Sequence, residues 1–145
     1  MPRHDIHNQM KVVRALDPKS ITTDTTTVGT VVDLRGFEGC EFVIAYGLLN
    51  DADLVPLIEE SLSNDVAMGD ATAVADGDLL GTEAAAGTTQ ATPSVTKKIG
   101  YRGSSRYVRL SMVSTSTVGA NLVGAVAVLG GKGNARTLPD GAVPG

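Results

Sequence analysis

Groups able to attack carbon or phosphorus, or to move a proton near neutral pH, are scarce in this 145-residue chain. His4 and His7 lie within the first seven residues, and Cys40 is the only cysteine. A Ser-His-Asp or Cys-His arrangement would have to take its imidazole from the N-terminal segment. A single cysteine excludes an internal disulfide and a cysteine-cluster metal site, so Cys40 is expected to be a buried thiol. Asp51 with Asp53, and Asp76 with Asp78, bring oxygens that suit calcium. However, Pro56 stands where the loop glycine of an EF-hand belongs after Asp51, and turn formation explains these residues better. Gly130-Gly131-Lys132-Gly133 follows an apolar stretch, as a phosphate loop would. Its first required glycine would fall at Val126, and Gly133 replaces the Ser or Thr that binds magnesium. No catalytic, cofactor-binding or metal-ligating residue is assigned, and the chain is expected not to be an enzyme and to carry no cofactor.

Cations are concentrated instead. Residues 97–110, KKIGYRGSSRYVRL, hold five of the twelve basic residues and two of the three tyrosines in a chain of net charge -4. Residues 33–83 carry twelve acids and one base, Arg35, whereas residues 97–136 carry seven bases and no acid. Such a bipolar chain suits head-to-tail contacts with its own copies or with a charged protein lattice, unless strands of opposite sign neutralise each other. On a strand over 106–110, Arg106, Val108 and Leu110 share one face, and Tyr107 and Arg109 the other. Gly103-Ser104-Ser105 reads as a tight hairpin turn across which Tyr101 and Tyr107 pair. Stacking of single-stranded nucleic acid would use such aromatics, but the overall acidity argues against a direct nucleic-acid partner. The candidate protein-interface residues are therefore Lys97, Lys98, Tyr101, Arg102, Arg106 and Arg109, joined by Lys11 and Arg14. The competing reading is a solvated hairpin whose cations balance the acidic half of its own chain.

These side chains need a scaffold, and the composition points to sheets. There is no Trp and there are two Phe, while Val, Thr and Gly recur in short runs, which argues against a helical bundle. The expectation is all-β, a β-sandwich or jelly-roll-like barrel of about 7 to 9 strands, with an irregular N-terminal arm and C-terminal tail. The arm occupies residues 1–20, the β-domain 21–130 and the tail 131–145. Strands are expected over 21–34, with Gly29 a bulge or turn, over 40–49, where Cys40, Phe42, Ile44 and Tyr46 alternate with other residues, and over 94–101, 106–114 and 121–129. Residues 54–63 suit a strand or a short helix, and Pro56 with the following Leu57-Ile58-Glu59-Glu60-Ser61 favours an edge strand. Residues 64–93 read as a long loop with one possible helical turn over 82–86. LVGAVAVL at 122–129 is apolar on both faces and is expected to be a central or inter-sheet strand with Val126 buried, so that Val126→Asp would unfold the domain. No leader is evident and no apolar run approaches the roughly 18 residues of a membrane span, so a soluble chain made in the cytoplasm, with no membrane partner, is expected.

Ile99-Gly100-Tyr101-Arg102-Gly103 through Arg106-Tyr107-Val108-Arg109-Leu110, then a Thr/Ser turn and the Gly-Ala-Val strand, resembles small proteins encoded near the major capsid gene of tailed bacteriophages. Glu59-Glu60-Ser61, Ala73-Val74-Ala75-Asp76 and Leu79-Leu80-Gly81 are similar to the middle of those proteins. The likeness covers residues 31–130 and departs at 64–68, where the family's Asp-Gly-Ser turn is absent. These are capsid decoration, or cement, proteins. The resemblance implies a virion protein on the capsid exterior, made in the host cytoplasm. Its implied partners are the major capsid protein, whose neighbouring subunits it clamps, and further copies of itself, as a homotrimer. From the residues alone, a head-tail connector or tail component and a carbohydrate- or host-surface-binding β-sandwich stay open; the lack of Trp counts against the last.

Overall fold

A computed structural model describes residues 6–130, so the tail expected at 131–145 lies outside the described residues. The strands are β1 (Met10–Ile21), β2 (Thr25–Thr27), β3 (Val32–Asp33), β4 (Gly39–Tyr46), β5 (Asp53–Glu60), β6 (Thr72–Ala73), β7 (Leu79–Leu80), β8 (Thr88–Thr89), β9 (Thr96–Tyr101), β10 (Tyr107–Thr115) and β11 (Asn121–Gly130). One short helix, α1 (Glu83–Ala86), sits among them. Two antiparallel sheets face each other. One runs β1-β11-β4-β9-β7, the other β2-β10-β5-β6, with β3 also on β10 and β8 on β5. This is the expected all-β sandwich, and the sheets do not close into a barrel. The count exceeds the expected number because β3, β6, β7 and β8 are two-residue pieces of the stretches read as loops or strand ends.

The core follows from period-two alternation. Cys40, Phe42, Ile44 and Tyr46 of β4 and Val123, Ala125, Ala127 and Leu129 of β11 all turn inward and are buried. Opposite them lie Leu54 and Ile58 of β5 and Val108, Leu110 and Met112 of β10. Burying each large aliphatic side chain contributes roughly 1.5–3 kcal/mol relative to exposure. With so few aromatics, many modest contributions replace a few large ones. Gly29 marks the tightest approach: a Cβ there would stand 1.9 Å from the Leu110 carbonyl oxygen and 2.4 Å from that of Ala15.

Pro56 does not put β5 on an outer edge, because β10 pairs along one side of it while β8 and β6 pair with the two ends of the other. Its position is explained by strand parity. The amides of Ser61 and Ile58 point to opposite sides, the first to Tyr107 O of β10 and the second to Glu83 Oε1. Pro56 shares the parity of Ile58, so its missing N–H faces the gap between β8 and β6, where no ladder partner is needed. Glu83 fills that gap from the first turn of α1, whose N-cap Thr82 accepts the Ala85 amide. The possible helical turn over 82–86 is thus formed.

Two further expectations are corrected by the strand pairing. Residues 10–20 are not an irregular arm but most of β1, a full edge strand on β11. Its period is hidden in sequence because register shifts between Arg14 and Leu16 and between Leu16 and Lys19 bury the neighbours Ala15 and Leu16 together. The second correction concerns 97–110. β9 belongs to the five-stranded sheet and β10 to the other, so residues 102–106 cross between sheets and form no hairpin. Tyr101 and Tyr107 accordingly do not pair across a turn.

Candidate interaction surface

The crossover explains where the concentrated cations go. Tyr101 is buried and its hydroxyl, donating to Glu60 Oε2 at 2.6 Å and accepting the Ser105 amide at 2.9 Å, ties one sheet to the other. Burial, with the Glu60 hydrogen bond, pushes this phenol up to about 12, which keeps it a donor. Gly103 lies against its ring, where a Cβ would come within 2.4 Å of the hydroxyl. Arg106 leaves the crossover to make two hydrogen bonds to Asp33, at 2.9 and 2.8 Å, and its guanidinium lies 4.7 Å from the centre of the Tyr107 ring. Arg109 grips Glu59, its directly opposite residue on β5, at 2.7 and 3.2 Å, and Ser111 adds a third hydrogen bond to the same carboxylate. Hydrogen bonds from Arg106 and Arg109 hold Asp33 and Glu59 below the usual carboxylate range.

The remaining candidates are less committed. Arg102 Nε donates to Gly77 O at 3.0 Å, and Lys97 Nζ to Ala85 O at 3.2 Å. Arg14 is exposed and pairs with Asp17 at 3.1 Å. Lys11 is half-buried at the β1 edge, facing away from Arg14, and Lys98 is exposed on β9. The structure therefore brings Arg106 and Arg109 to acids of the 33–83 segment and leaves Arg14 and Lys98 outward on the five-stranded sheet. Cys40 is buried, and burial raises its thiol to about 12. Among the described residues no cluster of His, Cys, Asp and Glu is placed to hold a metal ion.

The outer face of the five-stranded sheet was not singled out from sequence. Cross-strand register places Arg14, Val126, Val43 and Lys98 in one row across β1, β11, β4 and β9, with Val12, Val128, Glu41 and Gly100 in the next. Val126 is thus on the outside, 38% exposed, with Val12 at 53% and Leu122 at 46%. It does not sit in the core as expected, because the inward parity of β11 belongs to Val123, Ala125 and Ala127. The bulged turn of β1 lifts Pro18 over Gly124, so the face is hollowed into a groove of about 820 Å³. Its signal in sequence was the apolarity of both parities of residues 122–129, which a central strand inside one sheet shares with a strand whose outer face awaits a partner.

A second feature lies at the opposite sheet. After β5, residues 61–71 form a loop fixed by its own carboxylates. Asp65 accepts the amides of Ala67 and Gly69, and Asp70 accepts the amide and hydroxyl of Ser63. Met68, at φ +54°, plugs the loop from beneath with 3% exposure. Above it Leu62 and Val66 stand 70% and 64% exposed.

No protein-family model and no curated protein matches the chain. Among solved structures, it resembles a chain in the structure of infectious bursal disease virus, Gx strain, with a TM-score of 0.50 and 12% identity over 87% of this chain. That stretch covers 33% of the viral chain, so this protein spans about a third of its length. At such identity the likeness is one of fold alone.

Proposed function

We infer that the chain is a virion structural protein that decorates the outside of a phage capsid and clamps neighbouring major capsid protein subunits, acting as a homotrimer and without catalysis. The observation that carries this reading is the apolar, hollowed outer face of the five-stranded sheet, rimmed by Arg14 and Lys19. A face of this kind is suited to a protein partner rather than to water. The sandwich's likeness to a chain of a virus structure, and the resemblance of residues 31–130 to decoration proteins, support the same assignment. Arg106 and Arg109 then act mainly inside the subunit, and the surface left for a protein partner is apolar at its centre and basic at its rim.

Cryo-electron microscopy of purified virions tests this. Copies spread over the icosahedral lattice on the outer surface, absent after removal by mild denaturant and restored by added protein, are expected. Density confined to a single vertex would instead assign a connector or tail component, and a particle lacking the chain would end the virion reading.

A further inference from the structure

The groove and the loop are both apolar at their centres and opposite in charge, yet lie on different sheets of one molecule. The groove opens on the outside of the five-stranded sheet. The loop follows Glu60 of β5, in the other sheet, beside Val108. We propose that Leu62 and Val66 of one copy insert into the groove of the next, at Val12, Leu122 and Val126, making a head-to-tail contact between identical chains.

Three observations select this occupant. Both sides are apolar at the centre, and the loop is held in place by Asp65 and Asp70, so little conformational entropy is lost when it docks. The charges oppose: residues 61–71 contain two acids and no base, whereas the groove is lined by Lys19 and by Arg14, which also pairs with Asp17, and Lys98 stands beside its Val43. The chain's own 131–145 segment, with Lys132 and Arg136 against Asp140, brings more bases than acids to a basic rim and is the poorer match. Because the two patches differ, the contact is heterologous and closes into a ring or runs on as a filament, according to the rotation between copies. A ring of three would account for the homotrimer. The contact rests on the homo-oligomer part of the proposed function and deepens it; it does not depend on the capsid.

The decisive experiment uses two full-length variants and sedimentation velocity. Leu62→Asp with Val66→Asp spoils the loop, and Leu122→Asp with Val126→Asp spoils the groove. Each is expected to raise the self-dissociation constant at least about 100-fold and to run as a monomer. Mixed together, they should form a 1:1 dimer and nothing larger, since one intact loop and one intact groove remain between them. An isologous groove-to-groove contact cannot produce that result. Thermal unfolding checks that the variants are folded; should the groove pair fail, Lys19→Glu with Lys98→Glu replaces it and is expected to weaken association about tenfold at low salt, less at high salt. A wild-type chain that stays monomeric overturns both the oligomer and the contact. Wild-type oligomers that survive either pair of substitutions, or variants that do not pair when mixed, overturn the contact alone. Loss of capsid binding in the groove variant with self-association intact would hand the groove to the capsid protein and likewise reject the proposal.

Discussion

Arg109→Ala separates a cation that holds the sandwich together from one that merely decorates it. The Arg109 and Glu59 side chains are 17% and 15% exposed and share two hydrogen bonds. Removing one partner of a fully buried pair costs about 3–5 kcal/mol, and an exposed pair is worth about 0–1. With roughly one-sixth of each side chain still wet, and Ser111 still donating to the stranded carboxylate, the expected cost is about 2–3 kcal/mol. Arg106→Ala is the internal control, because its pair with Asp33 is 39% and 45% exposed and its loss should cost under about 1 kcal/mol. At about 3 °C per kcal/mol for a domain of this size, the melting temperature should fall by about 6–9 °C for Arg109→Ala and by at most about 3 °C for Arg106→Ala. Arg109→Met with Glu59→Leu should recover most of the loss, since no buried charge is then left unpaired. Glu59 is held below its unfolded value by Arg109, so its stabilisation is present above the unfolded glutamate range and is lost as pH falls through the folded value. The gap between the two single variants should therefore narrow in acid. Equal shifts for both at pH 7, or a shift below about 3 °C for Arg109→Ala, would refute the burial argument.

Two further outcomes follow from local geometry. Gly29→Ala should cost at least about 3 kcal/mol or prevent folding, since backbone oxygens of Leu110 and Ala15 block the new methyl, whereas Gly77→Ala, with nothing within 4 Å, should stay within about 0.5 kcal/mol by urea unfolding. Asp70 is held down to about 2 by its hydrogen bonds from Ser61 and Ser63, below an unfolded value near 3.9, so the loop's protection against amide hydrogen exchange should be full above pH 4 and fall away between about pH 4 and 2; Asp70→Asn should abolish that window.

The sandwich was legible because its central strands obey one period. Cys40, Phe42, Ile44 and Tyr46 read directly as an inward row, and they are one. β1 was not, since its bulges put Ala15 and Leu16 on the same side and break the period at the point where it would be counted. The supposed hairpin shows a different limit. A short polar link between two strands fits a turn within a sheet or a step between sheets equally well, and the choice is made by partners far away in sequence: Cys40 for Tyr101, Glu60 for Val108. The side of β11 that carries Val126 was invisible for a related reason. Apolarity at both parities tells that both faces avoid water, not that both are already covered.

That distinction bears on what the unequal charge of the chain is for. Two of the five clustered bases are spent on Asp33 and Glu59, and the third arginine on the Gly77 carbonyl, so all three arginines of the cluster are engaged within the subunit. A surface held by long-range attraction between whole acidic and basic faces would lose its grip steeply with salt. Here the cations left at the groove are few, and Arg14 already has Asp17. Affinity must then come from the aliphatic side chains at the centre of the groove, with the rim charges choosing orientation and raising the rate of encounter. Association should accordingly survive physiological salt with its dissociation rate little changed, while substitutions at Leu122 and Val126 act chiefly on that rate.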